Sequence, residues 1–360
     1  MINVTKTFLP PKAEYDKYLD RIWASNWITN KGPLSAELEK KLADYLNVKH
    51  IILVSNGTIA LQLLYKALGL KNKVITTPFS YVATTSSIVW EGLELIFCDI
   101  DPETLCPDFK AIRLALENDS SISAIVLTHV YGNSGPLEEY QQLADKYNIP
   151  LIYDAAHSFN VKYNNQSILN FGKAATLSFH ATKLFHTIEG GAIATNDDEL
   201  ATKVEYMRRF GHDEMGGFFG LGINAKSSEF NAAMGLAVLP YVSEIIEKRK
   251  AIFEIYDRYL TGKVIPLNWN EALDQNYAYY PVFLKSEPDV IKVKDFLQKK
   301  DIHLRRYFHP SLNQLPYVEH VSCPVSEDLA SRVLCLPLDI DLDEAEIKNV
   351  AELFLQALNS

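Results

Sequence analysis

The sequence predicts an α/β fold, a mostly parallel sheet covered by helices, followed by a smaller α+β domain at the C-terminus. Three observations predict it. From about residue 49 onward, short β-branched runs alternate with longer segments of helical period, the pattern of βα units. The apolar runs are continuous rather than alternating, as in strands buried on both faces. The chain has 360 residues, more than one compact domain usually holds, and its pattern changes near residue 245. The expected division is a large domain over residues 1–244, including the N-terminal segment, and a small one over 245–360.

In order along the chain, IILVS (51–55) reads as a strand and leads into a helix over 58–68. VITTP (74–78) precedes a helix over 82–90. LELIFCDI, SAIVLTHV and PLIYDAA continue the strands, with LEEYQQLADKYN as the helix between the last two. ATLSFHATK reads as a strand ending in a polar loop, and GGAIATN as the next strand. So short a connection predicts antiparallel pairing at one edge. DDELATKVEYMRRFG is helical, and 239–259 has few breakers, predicting a long helix that leaves the large domain. YAYYPVFLK, VIKVKDFLQKK, IHLRRYF, RVLCLPL and EAEIKNVAELFLQAL then give the α+β pattern of the second domain.

Composition narrows the function. Hydrophobic residues make up 48% and charged residues 22%, as in ordinary globular proteins. A formal charge of −10 argues against nucleic-acid binding, which needs a dense basic footprint. Cys98, Cys106, Cys323 and Cys335 have no zinc-ligand spacing and read as buried free thiols. The N-terminal residues lack a basic region followed by an apolar run, and no stretch approaches the roughly 20 apolar residues that span a bilayer. The expectation is a cytoplasmic protein with no metal site.

Three segments carry candidate chemistry. SNGTIALQLL (55–64) puts Asn56, Gly57 and Thr58 where a strand ends and a helix begins. Free N–H groups and the positive end of the helix dipole suit an anion there, although the junction also reads as a plain helix cap. The absence of GxGxxG and GxxxxGK[ST] makes a dinucleotide or P-loop site unfitting. In LIYDAAHSF, Asp154 ends an apolar strand and His157 follows, at the strand end where parallel sheets place ligands. Asp154 reads either as a helix cap or as the partner of a pyridinium nitrogen. In SFHATKLFHTIEGGAI, Lys183 lies between two strands, flanked by His180, His186 and the Gly190–Gly191 pair. An enclosed lysine has a lowered pKa and can form a Schiff base, while an ordinary loop lysine is merely solvated.

SNGTIAL, TTPFSYVATT, LTHVYGNSG, YDAAHSF, SFHATK…EGGAI and GINAKSSEFNAAMGL occur in the order and spacing of the DegT/DnrJ/EryC1/StrS sugar aminotransferases, which this chain resembles over about residues 27–239. The resemblance implies fold type I aminotransferase architecture with a mostly parallel seven-stranded sheet, and pyridoxal 5'-phosphate as cofactor. It implies Lys183 as the lysine joined to the cofactor and then acting as proton donor and acceptor, and Asp154 as partner of the pyridine nitrogen. Tyr81 resembles the aromatic that stacks on the cofactor ring. Gly57, Thr58 and Ser178 resemble the phosphate cradle, and Asn224 resembles the residue that reaches this phosphate from a second subunit, so a homodimer with shared sites is implied. His157 stands where the family commonly has Gln. The family's GDGG appears here as IEGG with Glu189, wording that resembles the branch of dTDP-4-amino-4,6-dideoxyglucose transaminases.

The resulting expectation is transfer of an amino group from L-glutamate to a nucleotide-linked keto-sugar. Lys31, Arg208, Arg305, Arg306, Tyr307 and His309 are candidate contacts to the diphosphate or hexose. A 3-keto or a UDP- or GDP-linked sugar is the alternative substrate. Sugar dehydratases similar to this family have His in place of Lys183, which argues against dehydration. A cofactor-binding regulatory protein is the non-enzymatic alternative.

Overall fold

The computed structural model describes residues 1–213 and 215–359. Seven strands form the main sheet: β1 (His50–Val54), β2 (Lys73–Thr76), β3 (Glu94–Phe97), β4 (Ile122–Thr128), β5 (Leu151–Asp154), β6 (Ala174–Ser178) and β7 (Gly191–Thr195). Their spatial order is β1-β7-β6-β5-β4-β2-β3. Strands β2 to β6 pair in parallel, and β7 alone runs against both of its neighbours, β1 and β6. The reversal has a local cause: β6 and β7 are joined by a loop with no crossover helix, and such a loop returns the chain antiparallel. The predicted antiparallel pairing at one edge is thus the β1–β7 pair, and it extends one strand further in, to β6.

Alternate residues of each strand feed two apolar layers. Ile51 and Leu53 of β1 join Leu38, Leu42 and Phe185 on one face, while Ile52 and Val54 join Leu61, Leu64 and Val204 on the other. Burial on both faces is why these strands read as unbroken apolar runs. Helix Gly57–Leu68 packs on β6 and β7 and so fixes the residues that precede it against the sheet edge.

The predicted long helix starts at Val242 rather than residue 239, because Pro240 sits in a 3-10 turn over Leu239–Tyr241. Val242–Leu260 leads to a three-stranded antiparallel sheet of Ile265–Pro266, Tyr280–Phe283 and Val333–Leu336. Helices Glu287–Gln298 and Glu344–Asn359 cover it around a separate apolar cluster that includes Val282, Val293, Leu336 and Phe354. Two features cross between the parts. Ile2–Asn3 pairs in parallel with Ile302–His303, and Phe79 and Tyr131 share a cluster with Phe283 and Cys335. All four cysteines are buried and free. Among the described residues, no helix is long and apolar enough to cross a membrane.

Helix Pro33–Leu46 begins at Gly32, which has no side chain to cap it. Glu229, from a distant helix, does so instead: its carboxylate accepts from the Leu34 N–H at 2.7 Å and the Ser35 N–H at 2.9 Å, and it is buried. Glu229→Ala leaves both donors buried without a partner, and should cost about 2–4 kcal/mol. Urea unfolding checks this; a loss under about 0.5 kcal/mol, the range of neutral surface changes, would show the cap to be dispensable.

Candidate active site

Because β1, β5 and β6 point the same way, their C-terminal ends share one edge of the sheet. A cavity of about 950 Å³ opens there, closed on its far side by residues of the C-terminal part, including Tyr279, Arg305 and Tyr307. Gly57, Thr58, Tyr81, Asp154, His157, Ser178 and Lys183 all line it. Residues scattered over more than a hundred positions of sequence are thus brought together by strand direction.

At the end of β1, the Asn56 side chain caps helix Gly57–Leu68 by accepting from the Ile59 N–H at 2.9 Å. The N–H groups of Gly57 and Thr58, the two residues just before Ile59, have no partner among the described residues, and both residues line the cavity. Glycine is required at residue 191, where a Cβ would stand 2.7 Å from the Gly57 nitrogen; one on Gly57 would stand 3.1 Å from the Ser178 Cβ, a tight approach that Ser178 would have to yield to. The three segments therefore close into a cradle of backbone donors and hydroxyls at a helix N-terminus, the arrangement that holds a phosphate.

Asp154, the last residue of β5, is only 6% exposed. Its carboxylate accepts from the Thr84 hydroxyl at 2.8 Å and the Ala156 N–H at 3.2 Å. Burial dominates and pushes its pKa up; the two hydrogen bonds and the charge of Lys183 oppose this. The Lys183 amine donates to the Tyr279 hydroxyl at 3.2 Å. Its pKa is pulled down, again chiefly by burial, against the charge of Asp154. A lowered lysine has a larger share of free amine, the nucleophilic form.

His157 is buried, and burial together with Lys183 holds it well below its ordinary pKa, so the ring is neutral. Its Nδ1 accepts from the Tyr131 N–H at 3.2 Å, which places the ring proton on Nε2. Tyr279 packs edge-on against the ring at 4.8 Å and Phe308 stacks on it at 5.4 Å. Tyr81 is 56% exposed at the cavity wall and tilts against Phe308. An aromatic face left this open suits stacking on a flat ring.

The other predicted residues divide. Arg305 and Tyr307 line the cavity; Lys31, Arg208, Arg306, His309 and Asn224 do not. Arg208 is buried, where its guanidinium pairs with Glu39 at 2.6 Å and with Glu205, and donates to the Leu53 carbonyl. Arg306 is bound to Glu287 and the Ser331 carbonyl, both at 2.8 Å, and to His309 Nδ1 at 3.0 Å. Both arginines are thus committed to structure. Lys31 pairs with Glu205 at 3.1 Å, and Asn224 accepts from Lys226 at 2.6 Å, away from this chain's own cavity. Sequence reasoning missed Tyr279, Thr84 and Phe308, which touch Lys183, Asp154 and His157. Nothing local marks them, since each acts through a residue far away in the chain.

A phosphate cradle, a buried carboxylate, an amine of lowered pKa and an open aromatic face match the phosphate, ring nitrogen, aldehyde and ring of pyridoxal phosphate. The sequence profile of the DegT/DnrJ/EryC1/StrS aminotransferase family matches residues 11–355. The chain belongs to this family of pyridoxal-phosphate-dependent aminotransferases. Among curated relatives, dTDP-4-amino-4,6-dideoxy-D-glucose transaminase of Shigella dysenteriae is 39% identical over 350 residues, covering 95% of each chain. The transaminase of the same name from Escherichia coli is 34% identical and covers 98% of each. Of solved structures, DesI in the presence of its TDP-sugar product superposes with a TM-score of 0.93 at 33% identity, covering 99% of this chain and 93% of that one. The fold type I architecture follows.

Tyr279 is the side chain that holds the free Lys183 amine, so Tyr279→Phe should slow amino transfer roughly tenfold, the weight of one buried hydrogen bond. The cofactor should still bind, with its absorption band intact. Single-turnover rates with an amino donor test this, and an unchanged rate would relieve Tyr279 of any part in the reaction.

Proposed function

We propose that the chain transfers the amino group of L-glutamate to the C4 ketone of dTDP-4-keto-6-deoxy-D-glucose, giving dTDP-4-amino-4,6-dideoxy-D-glucose. One observation carries the choice of sugar: similarity to two transaminases named for that product, along essentially the whole chain. The activity at the coarser level, amino transfer to a nucleotide-linked sugar, rests on the family and the site together.

Bound pyridoxal phosphate supplies the electron sink that acidifies the donor's Cα–H bond and carries the amino group between substrates. The chain's own residues do the rest. Lys183 Nζ takes the proton from one carbon and returns it to another, and its lowered pKa enlarges the share in the basic form for the first of these moves. Asp154, buried with Thr84 and the Ala156 N–H, holds a carboxylate where a protonated ring nitrogen supplies the counter-charge. Gly57, Thr58 and Ser178 would hold the phosphate, Tyr81 would lie against the ring, and neutral His157 would have Nε2–H to offer it. Lysine at position 183, where the dehydratases have histidine, supports transfer over dehydration. The keto product of glutamate leaves before the sugar enters, so the kinetics are ping-pong.

We further propose a homodimer. Trp27, Ile28, Phe210, Phe218, Phe219, Leu221 and Ile223 are exposed, an apolar display larger than scattered surface residues account for. Asn224 adjoins it and lies outside its own cavity, as fits a residue that completes the partner's site. The reading places the enzyme in the cytoplasm, on a route to O-antigen or other surface glycan.

Two measurements test the function. Borohydride reduction of the holoenzyme should fix the pyridoxyl group on Lys183, read by peptide mapping, and Lys183→Ala should abolish both labelling and transfer; a label elsewhere removes the proposed base. Mass spectrometry over dTDP-, UDP- and GDP-linked keto-sugars should find turnover with dTDP-4-keto-6-deoxyglucose. Reaction with only a 3-keto, UDP- or GDP-linked member would overturn the substrate.

A further inference from the structure

The cavity has two ends of opposite character. Asp154, His157 and Thr176 are buried at one; Met1, Asn3, Lys294, Gln298 and Arg305 are exposed at the other, and all of them line the same space. The exposed end is built from three elements of the polypeptide. Lys294 and Gln298 are four residues apart on helix Glu287–Gln298 and so share a face. His303 and Arg305 alternate with buried Ile302 and Leu304, so both project from the same side of an extended segment. Asn3 stands in register with His303 through the parallel pairing of the N-terminal strand.

Its cations are free. Arg305 and Lys294 have no side-chain hydrogen bond or ion pair among the described residues, whereas one terminal nitrogen of the adjacent Arg306 is bound to Glu287, Ser331 and Ala330. Two acids lie near: Asp301 pairs with the N-terminal amine at 3.0 Å and with His303 at 3.2 Å, and Glu189 lies 3.6 Å from His180. Neither is paired with Arg305 or Lys294. In a chain of net charge −10, two unpaired cations at the mouth of one cavity make a local attraction for anions that the rest of the surface opposes.

We infer that this roof, with Arg305 and Lys294 as its charged members and Asn3, Gln298 and His303 as polar contacts, is the subsite for the diphosphate of the nucleotide-sugar. The inference rests on the proposed function and adds to it where the substrate's charge is held. The placement suits a substrate whose reacting carbon lies deep, near Lys183, and whose anionic part is separated from it by a hexose. An amino acid has its carboxylate one bond from the reacting carbon, and a cavity of about 950 Å³ is near the upper end of the range for small-molecule sites. The N-terminal strand becomes part of the substrate site, which gives a functional reason for its pairing across to residues 302–303.

The holoenzyme carrying Arg305→Ala, Lys294→Ala or both tests this, with dTDP, thymidine and inorganic pyrophosphate as calorimetric probes and the glutamate half-reaction followed by cofactor absorbance. The expected result is dTDP and pyrophosphate binding weakened about tenfold per cation removed, with thymidine binding and the glutamate half-reaction unchanged within about twofold. Unchanged dTDP affinity overturns the subsite. So does a raised KM for glutamate, which would assign the cations to the donor's carboxylate, and so does equal weakening of thymidine, which would assign them to the base. Wild-type enzyme that binds pyrophosphate but not dTDP, with that binding lost in the variants, would uphold the subsite while removing thymidine from the proposed substrate.

Discussion

Lys183 and Asp154 line one cavity in which burial takes both groups partly out of water, and the rest of the site is arranged around that fact. Desolvation opposes charge on both groups, raising the carboxyl and lowering the amine, and their mutual attraction offsets only part of it. Exposed to solvent, the same lysine would be an ordinary protonated side chain, a poor nucleophile at neutral pH. Buried without Thr84 and Ala156 to donate to it, the aspartate would cost several kcal/mol and would tend to stay protonated. In each member burial and the opposing contacts pull in contrary directions, so neither the free charged form nor the fully desolvated one is reached.

Topology makes that arrangement affordable. The strands β1, β5 and β6 end on one edge, so their last residues converge without any long excursion of chain. The loop between β6 and β7 then has to turn back over the same edge, and Lys183 is carried on it. The return is tight enough that Gly191 must pass the Gly57 backbone with no side chain between them. A single reversed strand thereby does two things: it hangs the lysine over the strand ends and it packs Gly191 against the Asn56–Gly57 backbone at the start of helix Gly57–Leu68. Neither would survive replacing the loop with a crossover helix, which would put residue 183 on a face of the sheet rather than at its edge.

Much of this could be read from the amino acids alone. Unbroken apolar runs marked the parallel strands, and the helix over 82–90 fell where its period put it. Asp154 is legible because it ends an apolar strand with a charge, and Lys183 because it lies between two strands, flanked by His180, His186 and the Gly190–Gly191 pair. The helix start was displaced from 239 to Val242 by Pro240, a residue whose effect depends on whether a 3-10 turn can absorb it. Arg208 illustrates the harder case. An arginine in sequence is only a charge; that this one is buried was decided by Glu39, 169 positions away, and by the Leu53 carbonyl. Tyr279 was hidden for the same reason, since its bond to Lys183 spans 96 positions. Pairing at residues 2–3 was too short to have a period at all.

Arg305 and Arg306 show how much a single position decides. They are chemically identical neighbours in an extended segment, where successive side chains point to opposite sides. One side meets Glu287 and two backbone carbonyls, and the arginine there becomes a strut that ties helix Glu287–Gln298 to the end of Pro324–Arg332. The other side meets the cavity, and the arginine there has nothing of the protein to bind. A shift of one residue would either set Arg306 at the cavity and leave the Glu287 acceptors facing Tyr307, or set Arg305 against those acceptors and leave the mouth of the site with Leu304. Register in this segment is fixed on both flanks, by Asn3 against His303 and by Cys335 against Arg305, so the strut and the free cation are specified by the same backbone hydrogen bonds.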